Sequence, residues 1–177
     1  MTLSEQKLKI KELADKYKGD QVERYKNSIF LPYVSLPNVK GKGTMMEEFF
    51  CDYLNDLGIK TYWEKSLANY DFLINDYLRV ELKVASIGAG DGVRFNQIHF
   101  GKGRQVDKFL LVVIKPDDTI DFFVVPKEDF ASGKIKVKQQ HTSDSSICAS
   151  INISYESLLT NFKNYKVDVD NLSKYLI

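Results

Sequence analysis

The sequence predicts an α/β domain in which a mixed, mainly antiparallel central β-sheet is flanked by helices. Apolar residues recur at helical spacing between residues 44 and 58, and two β-rich runs meet at a turn over residues 75–76. The uninterrupted apolar run 109–114 is typical of a strand buried on both faces. With 177 residues, 44% hydrophobic and 28% charged, the chain is expected to be one globular domain, residues 1–177.

The first core helix is expected between Thr44, a suitable N-cap after the breaker Gly43, and Gly58, a suitable C′ glycine. Its apolar face is predicted to comprise Met46, Phe49, Phe50, Tyr53, Leu54 and Leu57. Glu47 falls at the border of that face, whereas Glu48 points away from it. We therefore expect Glu48 to be solvated and Glu47 to lie along the edge of the core.

A hairpin is predicted to follow, with its turn at residues 75–76 and its second strand over residues 78–85. Folding at that turn brings Asp71 opposite Glu81. Glu81 and Lys83 share one face of the second strand. Charges on a covered sheet must be solvated, paired or bound to a metal, so this face is a candidate site.

Carboxylates that lie close together suggest metal chemistry. Each raises the pKa of the other unless a cation lies between them. Mg²⁺, with Mn²⁺ as a possible substitute, prefers oxygen ligands and stabilises charge that develops on a phosphate. Lys83 is placed to hold an attacking water or a phosphate oxygen, and Glu47 to orient the water or hold a second ion. The pattern predicts a metal-dependent site for cutting a phosphodiester.

The order of these residues resembles the signature of the PD-(D/E)xK nucleases. Asp71 is followed, after nine intervening residues, by Glu81-Leu82-Lys83, although Asn69-Tyr70 stands where the name has proline. The preceding helix is similar to the first-helix pattern of archaeal Holliday-junction resolvases and many restriction endonucleases, with Lys42-Gly43, Glu47, Leu54 and Gly58. The resemblance covers residues 42–126, with further material at both ends.

This resemblance implies a restriction-endonuclease-like fold and a role for each residue. Asp71, Glu81 and the backbone carbonyl of Leu82 would be metal ligands, Lys83 the catalytic lysine and Glu47 the helix carboxylate, itself able to bind metal. Together, Glu47, Asp71, Glu81 and Lys83 would form the catalytic group. The implied function is Mg²⁺-dependent hydrolysis of double-stranded DNA.

Three kinds of nucleic-acid protein remain open at this point. A small Type II restriction endonuclease is the first choice, as a homodimer because one site per chain must cut two strands. A Holliday-junction resolvase or another structure-specific nuclease is the alternative within the class. A non-catalytic nucleic-acid-binding module with the same fold is the alternative outside it.

A basic, polar and aromatic segment over residues 93–107 suits a nucleic-acid backbone. The predicted DNA contacts are Lys42, Arg94, Gln97, Lys102 and Arg104. The net charge of +1 does not exclude such contacts, because a nuclease needs positive charge locally. The polar stretch 131–150 is either a surface loop or a loop that reads bases.

The remaining elements follow from the same patterns. We expect helices over residues 3–17, 154–165 with a Ser154 cap, and within 167–177; strands over 59–63, 108–114 and 120–125; a helix start near Pro126; a short strand or loop at 29–31; and a flexible connection at 87–92.

The cysteines and the hydropathy of the chain indicate the cellular compartment to expect. Cys51 and Cys148 are far apart and lack metal-ligand spacing, so both are expected to be buried free thiols. No apolar run approaches a membrane span and the N-terminus lacks a signal-peptide pattern. The expectation is a cytoplasmic protein that does not contact a membrane.

Overall fold

The computed structural model describes residues 20–37, 39–63, 69–141 and 147–176. Its helices are α1 (Asp20–Arg24), α2 (Leu31–Ser35), α3 (Val39–Asp56), α4 (Lys127–Ala131), α5 (Tyr155–Asn161) and α6 (Leu172–Tyr175). Its strands are β1 (Thr61–Tyr62), β2 (Phe72–Ile74), β3 (Leu78–Ser86), β4 (Gly92–His99), β5 (Lys108–Ile114), β6 (Ile120–Pro126), β7 (Lys138–His141), β8 (Cys148–Ser154) and β9 (Lys166–Val167). The helix predicted over residues 3–17 lies outside the described residues.

A six-stranded central sheet has the order β1-β2-β3-β5-β6-β9. The β3–β5 pair is parallel and the other four pairs are antiparallel. The prediction of a mixed, mainly antiparallel central sheet flanked by helices is confirmed. Residues 109–114 of β5 are all buried, as their uninterrupted apolar run predicts.

A second, three-stranded sheet with the order β4-β8-β7 was not predicted. It is antiparallel, and it draws β7 and part of β8 from the stretch that was expected to be a polar surface loop, residues 131–150. That expectation was wrong for β7 and β8, because Cys148, Ala149 and Ser150 at the end of the stretch are buried. Residues 142–146, at the centre of the stretch, lie outside the described residues.

The two faces of the central sheet have different covers. Phe50 and Leu54 of α3 pack on one face with Val80 and Leu82 of β3. On the other face, Ala85 belongs to a cluster with apolar residues of β4, β8 and α5. Glu81 and Lys83 alternate with Ala85, so they lie on the face that the second sheet covers.

Helix α3 begins at Val39, five residues before the predicted N-cap Thr44. Gly41 and Gly43 lie inside it despite a cost of about 1 kcal/mol for each glycine in a helix. A tertiary contact supports this first turn, since Lys42 donates to the Val34 carbonyl at 3.0 Å.

The other end of α3 agrees with the prediction. Gly58 has φ +77°, and the Ile59 N–H donates to the Leu54 carbonyl at 2.9 Å, which is the closing bond of a Schellman motif. The predicted apolar face was too wide, however, because Phe49 and Leu57 are each 40% exposed. Glu48 is exposed and Glu47 half-buried, as expected.

The predicted hairpin and its register are confirmed. Asn75 and Asp76 have φ values of 52° and 68°, as a type I′ turn requires. Phe72 pairs with Val80, and the Asp71 N–H donates to the Val80 carbonyl at 3.0 Å. Asp71 therefore stands just before β2, opposite Glu81.

Shorter elements show where local patterns were insufficient. Residues 29–31 lead into helix α2 instead of a strand, because Pro32 occupies the first turn, where its missing N–H costs nothing. Ser154 caps α5 as predicted, accepting from the Ser157 N–H at 3.2 Å. That helix ends at Asn161, since the chain then turns to pair as β9 with β6.

Cys51 and Cys148 are not joined in a disulfide; Cys148 is buried and Cys51 is half-buried, so only Cys148 matches the expected burial. Near the C-terminus, the predicted helix forms as α6, where Leu172 and the following Leu176 are buried and Tyr175 is exposed. Across the described ranges, no helix is both long and apolar enough to cross a membrane.

Candidate active site

An open cleft of about 1100 Å³ lies between the first half of α3, strand β4 and one edge of β3. The β3 edge from Leu82 to Ser86 lines it. Strand β2 pairs with β3 only as far as Phe72 and Val80, and no other described strand pairs with β3 beyond that point on the same side. The backbone of β3 is therefore open to the cleft just where the Glu-x-Lys motif lies.

Asp71 sits at the start of this open edge. Its Oδ2 accepts a hydrogen bond of 2.8 Å from the Leu82 N–H, in the place of a strand partner. The N–H and C=O of one strand residue point to the same side. The Leu82 carbonyl therefore faces the same edge as the Asp71 carboxylate.

The other three predicted catalytic residues all influence the pKa of Asp71. Burial raises the pKa of Asp71 to about 7, against the opposing effect of the Lys83 ammonium. The carboxylates of Glu81 and Glu47 raise that pKa further, while the Leu82 N–H bond lowers it. Glu47, Glu81 and Lys83 thus all lie close enough to Asp71 to affect its pKa.

Glu81 and Lys83 form a largely buried ion pair. Glu81 is only 2% exposed, and its Oε1 lies 2.7 Å from the Lys83 Nζ. The Lys83 side chain is 21% exposed and lines the cleft. A carboxylate this buried needs such a partner, because an unpaired charge would be strongly destabilising. The pair also fixes the direction in which the Lys83 ammonium points.

Glu47 enters the cleft from α3. Its Oε2 accepts a hydrogen bond of 3.1 Å from the Trp63 Nε1–H. Trp63, the single tryptophan, was missed as a site residue, since its position at the end of a predicted strand does not show where its indole points. The bond holds Glu47 at the border of the core, where its helical position placed it.

The predicted DNA contacts divide into two groups. Arg94 and Gln97 are exposed and line the cleft. Gln97 has φ 54° and lies where the β4–β8 pairing shifts register, so a bulge turns it outward. Lys102 and Arg104 do not line the cleft, and the structure does not bring them to the candidate site.

Lys42 lines the cleft but is engaged in packing. Its Nζ donates to the Val34 carbonyl and lies 5.4 Å from the centre of the Tyr33 ring. Burial lowers the pKa of Lys42. We therefore interpret Lys42 as a residue that connects α2 to α3, in preference to a DNA contact.

Ligand chemistry decides whether a hard cation fits. Among the described residues, no group of three or more His, Cys, Asp or Glu side chains forms a ready metal site. The two carboxylates and the main-chain carbonyl predicted as ligands adjoin one another at the hairpin, since Asp71 lies opposite Glu81 and accepts from the Leu82 N–H. Mg²⁺ binds through one or two carboxylates and keeps several waters, so oxygen donors of this kind suit it.

One oxygen of each carboxylate already accepts a protein hydrogen bond or ion pair. Asp71 Oδ2 is held by the Leu82 N–H, Glu81 Oε1 by Lys83, and Glu47 Oε2 by Trp63. The second oxygen of each carboxylate is the one that a cation would take. Such partners orient ligating carboxylates in metal sites.

No protein-family model matches the chain, and no curated protein matches it in sequence. Function is therefore inferred from the cleft. Glu47, the ion-paired Lys83 and the exposed Arg94 line the cleft, whereas Asp71 and Glu81 lie next to this edge of β3 but do not line it. That combination suits the hydrolysis of an anionic ester.

Proposed function

We propose that the chain is a Mg²⁺-dependent endonuclease that hydrolyses phosphodiester bonds in double-stranded DNA, with the α3–β3–β4 cleft as its active site. The observation that carries the proposal is the raised pKa of Asp71 at an open strand edge, beside Glu81, Lys83 and Glu47. Strongly perturbed carboxylates in a cleft are typical of functional sites. The resemblance to the PD-(D/E)xK nucleases supports the same assignment.

Asp71, Glu81 and the Leu82 carbonyl would hold the ion, with Glu47 as a further ligand, and Mn²⁺ could substitute. When bound, a divalent ion supplies a Lewis acid for phosphate oxygens and acidifies a coordinated water. Burial is the main cause of the raised pKa of Asp71, and a bound cation would lower that pKa by offsetting both the burial and the repulsion from Glu81 and Glu47.

The side chains of the chain have separate tasks in this proposal. Lys83, oriented by Glu81 at 2.7 Å, donates to the attacking water or to a nonbridging phosphate oxygen and stabilises the charge of the transition state. Glu47, held by Trp63, orients the water from the α3 side. Arg94 and Gln97 at the rim hold the DNA backbone in register.

Within this class, a Type II restriction endonuclease with a restriction-endonuclease-like fold is our first proposal. One site per chain and two strands to cut support a homodimer. The described elements outside residues 42–126, including β7 and β8 of the second sheet, offer surface for sequence recognition. Cytoplasmic localisation is part of the same proposal.

A non-catalytic nucleic-acid-binding module is the second candidate. The observation that favours it is the 2.7 Å ion pair, which engages both Glu81 and Lys83 and would serve equally well as a structural pair. This candidate predicts that DNA binding survives chelation and that Lys83→Ala lowers the stability of the fold but leaves the DNA affinity of the folded protein unchanged.

Incubation of the purified protein with long linear DNA and with a four-way junction, in Mg²⁺ and in EDTA, tests the proposal. Discrete bands in Mg²⁺ alone would support a restriction enzyme, a smear a nonspecific nuclease, and cleavage of the junction alone a resolvase. Lys83→Ala should abolish cleavage. Lys60→Ala, which removes an exposed lysine paired with Asp76, is the matched control and should cut normally. Intact substrates throughout would contradict the enzyme.

A further inference from the structure

A second cleft, of about 890 Å³, opens on the three-stranded sheet. Its polar lining includes Arg94, Lys136, Lys138, Asn152, Asn161 and Asn164. Only Arg94 among these residues was named as a DNA contact from the sequence, although Lys136 and Lys138 lie in the stretch 131–150 that was left open as a base-reading loop. The cleft is therefore a separate feature that the proposed active site does not explain.

Strand alternation explains why the cleft is polar. Val93, Phe95 and Ile151 are buried against the central sheet, so the intervening residues of β4 and β8 face outward. Arg94 pairs directly with Asn152 across the two strands. Lys138 pairs with Ser150, two residues from Asn152, and it therefore lies on the same outer face.

The charge of this cleft is of one sign. Lys134 at its edge is compensated by Asp129, whose Oδ2 lies 2.8 Å from the lysine Nζ. Lys136, Lys138 and Arg94 are exposed, and no carboxylate of the described residues lines the cleft with them. A chain with a net charge of only +1 thus concentrates cations in one concavity. Such a stripe is the electrostatic footprint of a polyanion.

The three asparagines in the lining fit a phosphate backbone better than an acidic protein surface. Their amide groups are neutral donors of the kind that bind phosphate oxygens beside lysine and arginine. The concave shape suits a rod, not a flat membrane. The lysine and arginine positions span roughly 12 Å, from two strand spacings of about 4.8 Å and two residues along a strand. That distance corresponds to roughly three phosphates of one DNA strand.

Arg94 lines both clefts, so the second cleft adjoins the candidate active site. We propose that the second cleft binds the backbone of the DNA duplex that flanks the cleaved bond. Lys136 and Lys138 contact phosphates there, and Asn152 donates to a phosphate oxygen beside Arg94. This inference rests on the proposed function for the identity of the polyanion, and it assigns a site that the catalytic residues do not include.

The test measures binding of hairpin-closed duplexes of roughly 6 and 20 base pairs, about 20 and 70 Å long, in EDTA over a range of salt concentrations. The wild type should bind the long duplex more tightly. The double variant Lys136→Ala, Lys138→Ala should bind the long duplex about 10- to 100-fold more weakly near 0.1 M salt, with a salt slope smaller by about 2. The short duplex reaches only the first cleft, so the double variant should bind it almost as tightly as the wild type does.

A matched double variant, Lys26→Ala with Lys60→Ala, removes the same charge from exposed lysines that pair with Glu23 and Asp76. It should bind both duplexes as the wild type does. The inference is overturned if wild-type affinity does not depend on duplex length, or if the two double variants behave alike. It is also overturned if Lys136→Ala, Lys138→Ala weakens both duplexes equally, since that indicates a long-range charge effect.

Cleavage of long DNA in Mg²⁺ by the same proteins separates the two proposals. Loss of long-duplex binding in the cleft variant, with no cleavage by the wild type, supports the second cleft and contradicts the nuclease. Cleavage by the wild type, with unchanged binding by the cleft variant, supports the nuclease and contradicts the second cleft.

Discussion

Two carboxylates on the central sheet, Asp71 beside β2 and Asp121 in β6, have opposite surroundings. Asp121 receives a hydrogen bond from Tyr155 and lies 3.1 Å from Lys166 and 3.4 Å from Lys115. Burial raises its pKa, but the bonds from Tyr155 and Lys166 outweigh that effect, and the pKa is lowered. Burial raises the pKa of Asp71 to about 7, and of the charged groups around it two carboxylates raise that pKa while one lysine lowers it.

The difference distinguishes a structural carboxylate from the one that we propose to be functional. The partners of Asp121 are two lysines of opposite charge and a tyrosine that donates a hydrogen bond, so the ionised form of Asp121 stabilises the fold. The partners of Asp71 add negative charge in a half-buried place, and this arrangement costs stability without a cation. Sites that retain such a cost are those where the charge is used in binding or chemistry.

Cleavage activity should show the largest contrast between these two carboxylates. Asp71→Asn keeps the shape of the side chain and an acceptor for the Leu82 N–H, but it removes a metal ligand and a charge. We expect its cleavage rate to fall by roughly 100- to 1000-fold or more, as for the loss of a transition-state stabiliser. The cleavage rate of Asp121→Asn should remain within about threefold of the wild-type rate. A threefold change in rate corresponds to ~0.7 kcal/mol in activation free energy. Equal losses in both variants would remove the functional distinction.

Stability should change in the opposite order. Asp121→Asn weakens its ionic interactions with two lysines whose side chains are 21% and 37% exposed, and we expect a loss of roughly 2–3 kcal/mol in the free energy of unfolding. Because its folded pKa is lowered, this contribution is present above its unfolded pKa of 3.8 and is lost as the pH falls through the folded value. Urea unfolding at pH 7 and at pH 3 measures it. An unchanged midpoint at pH 7 would show that the cluster is solvated.

Asp71→Asn should stabilise the metal-free protein at pH 8. The folded pKa of about 7 exceeds the unfolded 3.8, so the folded state holds an extra proton between these values. Wild-type stability therefore falls as the pH rises from 3.8 to about 7 and is then flat with respect to this group. We expect a gain of about 2 kcal/mol at pH 8 that disappears near pH 4, discounted from the full shift because the site is open to water. If Asp71→Asn is less stable than the wild type at pH 8, the ionised Asp71 carboxylate does not destabilise the metal-free fold.

Mg²⁺ should stabilise the wild type at pH 8 in thermal unfolding. At a free concentration tenfold above the dissociation constant, the expected gain is about 1.4 kcal/mol. Asp121→Asn should keep this gain and Asp71→Asn should lose it. If both variants respond like the wild type, the ion binds elsewhere.

Trp63→Phe should have the smallest effect. It removes the indole N–H that holds Glu47 at 3.1 Å while retaining an aromatic ring. One hydrogen bond of about 1 kcal/mol corresponds to a roughly fivefold loss of cleavage rate. Trp63→Ala, which also removes packing, separates the effect on stability from that on rate. A larger loss from Trp63→Phe than from Asp71→Asn would reverse the assigned roles.

Short-range features of the site were predictable from the sequence. The Asn75-Asp76 turn determines the register that sets Asp71 opposite Glu81, and strand alternation places Glu81 and Lys83 on one face. Gly58 ends α3 as predicted, since a positive φ is inexpensive for glycine. Each of these depends on sterics within a few residues, and such preferences act wherever the segment is placed.

Long-range partners were decided by the tertiary structure alone. The second sheet, the bond from Trp63 to Glu47, the pairing of Lys42 with Val34 and the cluster around Asp121 join residues that the sequence separates. Periodicity states which side of an element is apolar, but it does not state what packs against that side. The amino-acid sequence by itself determined the hairpin and its acidic pair, whereas packing decided where the strand edge stayed open and which charges remained uncompensated.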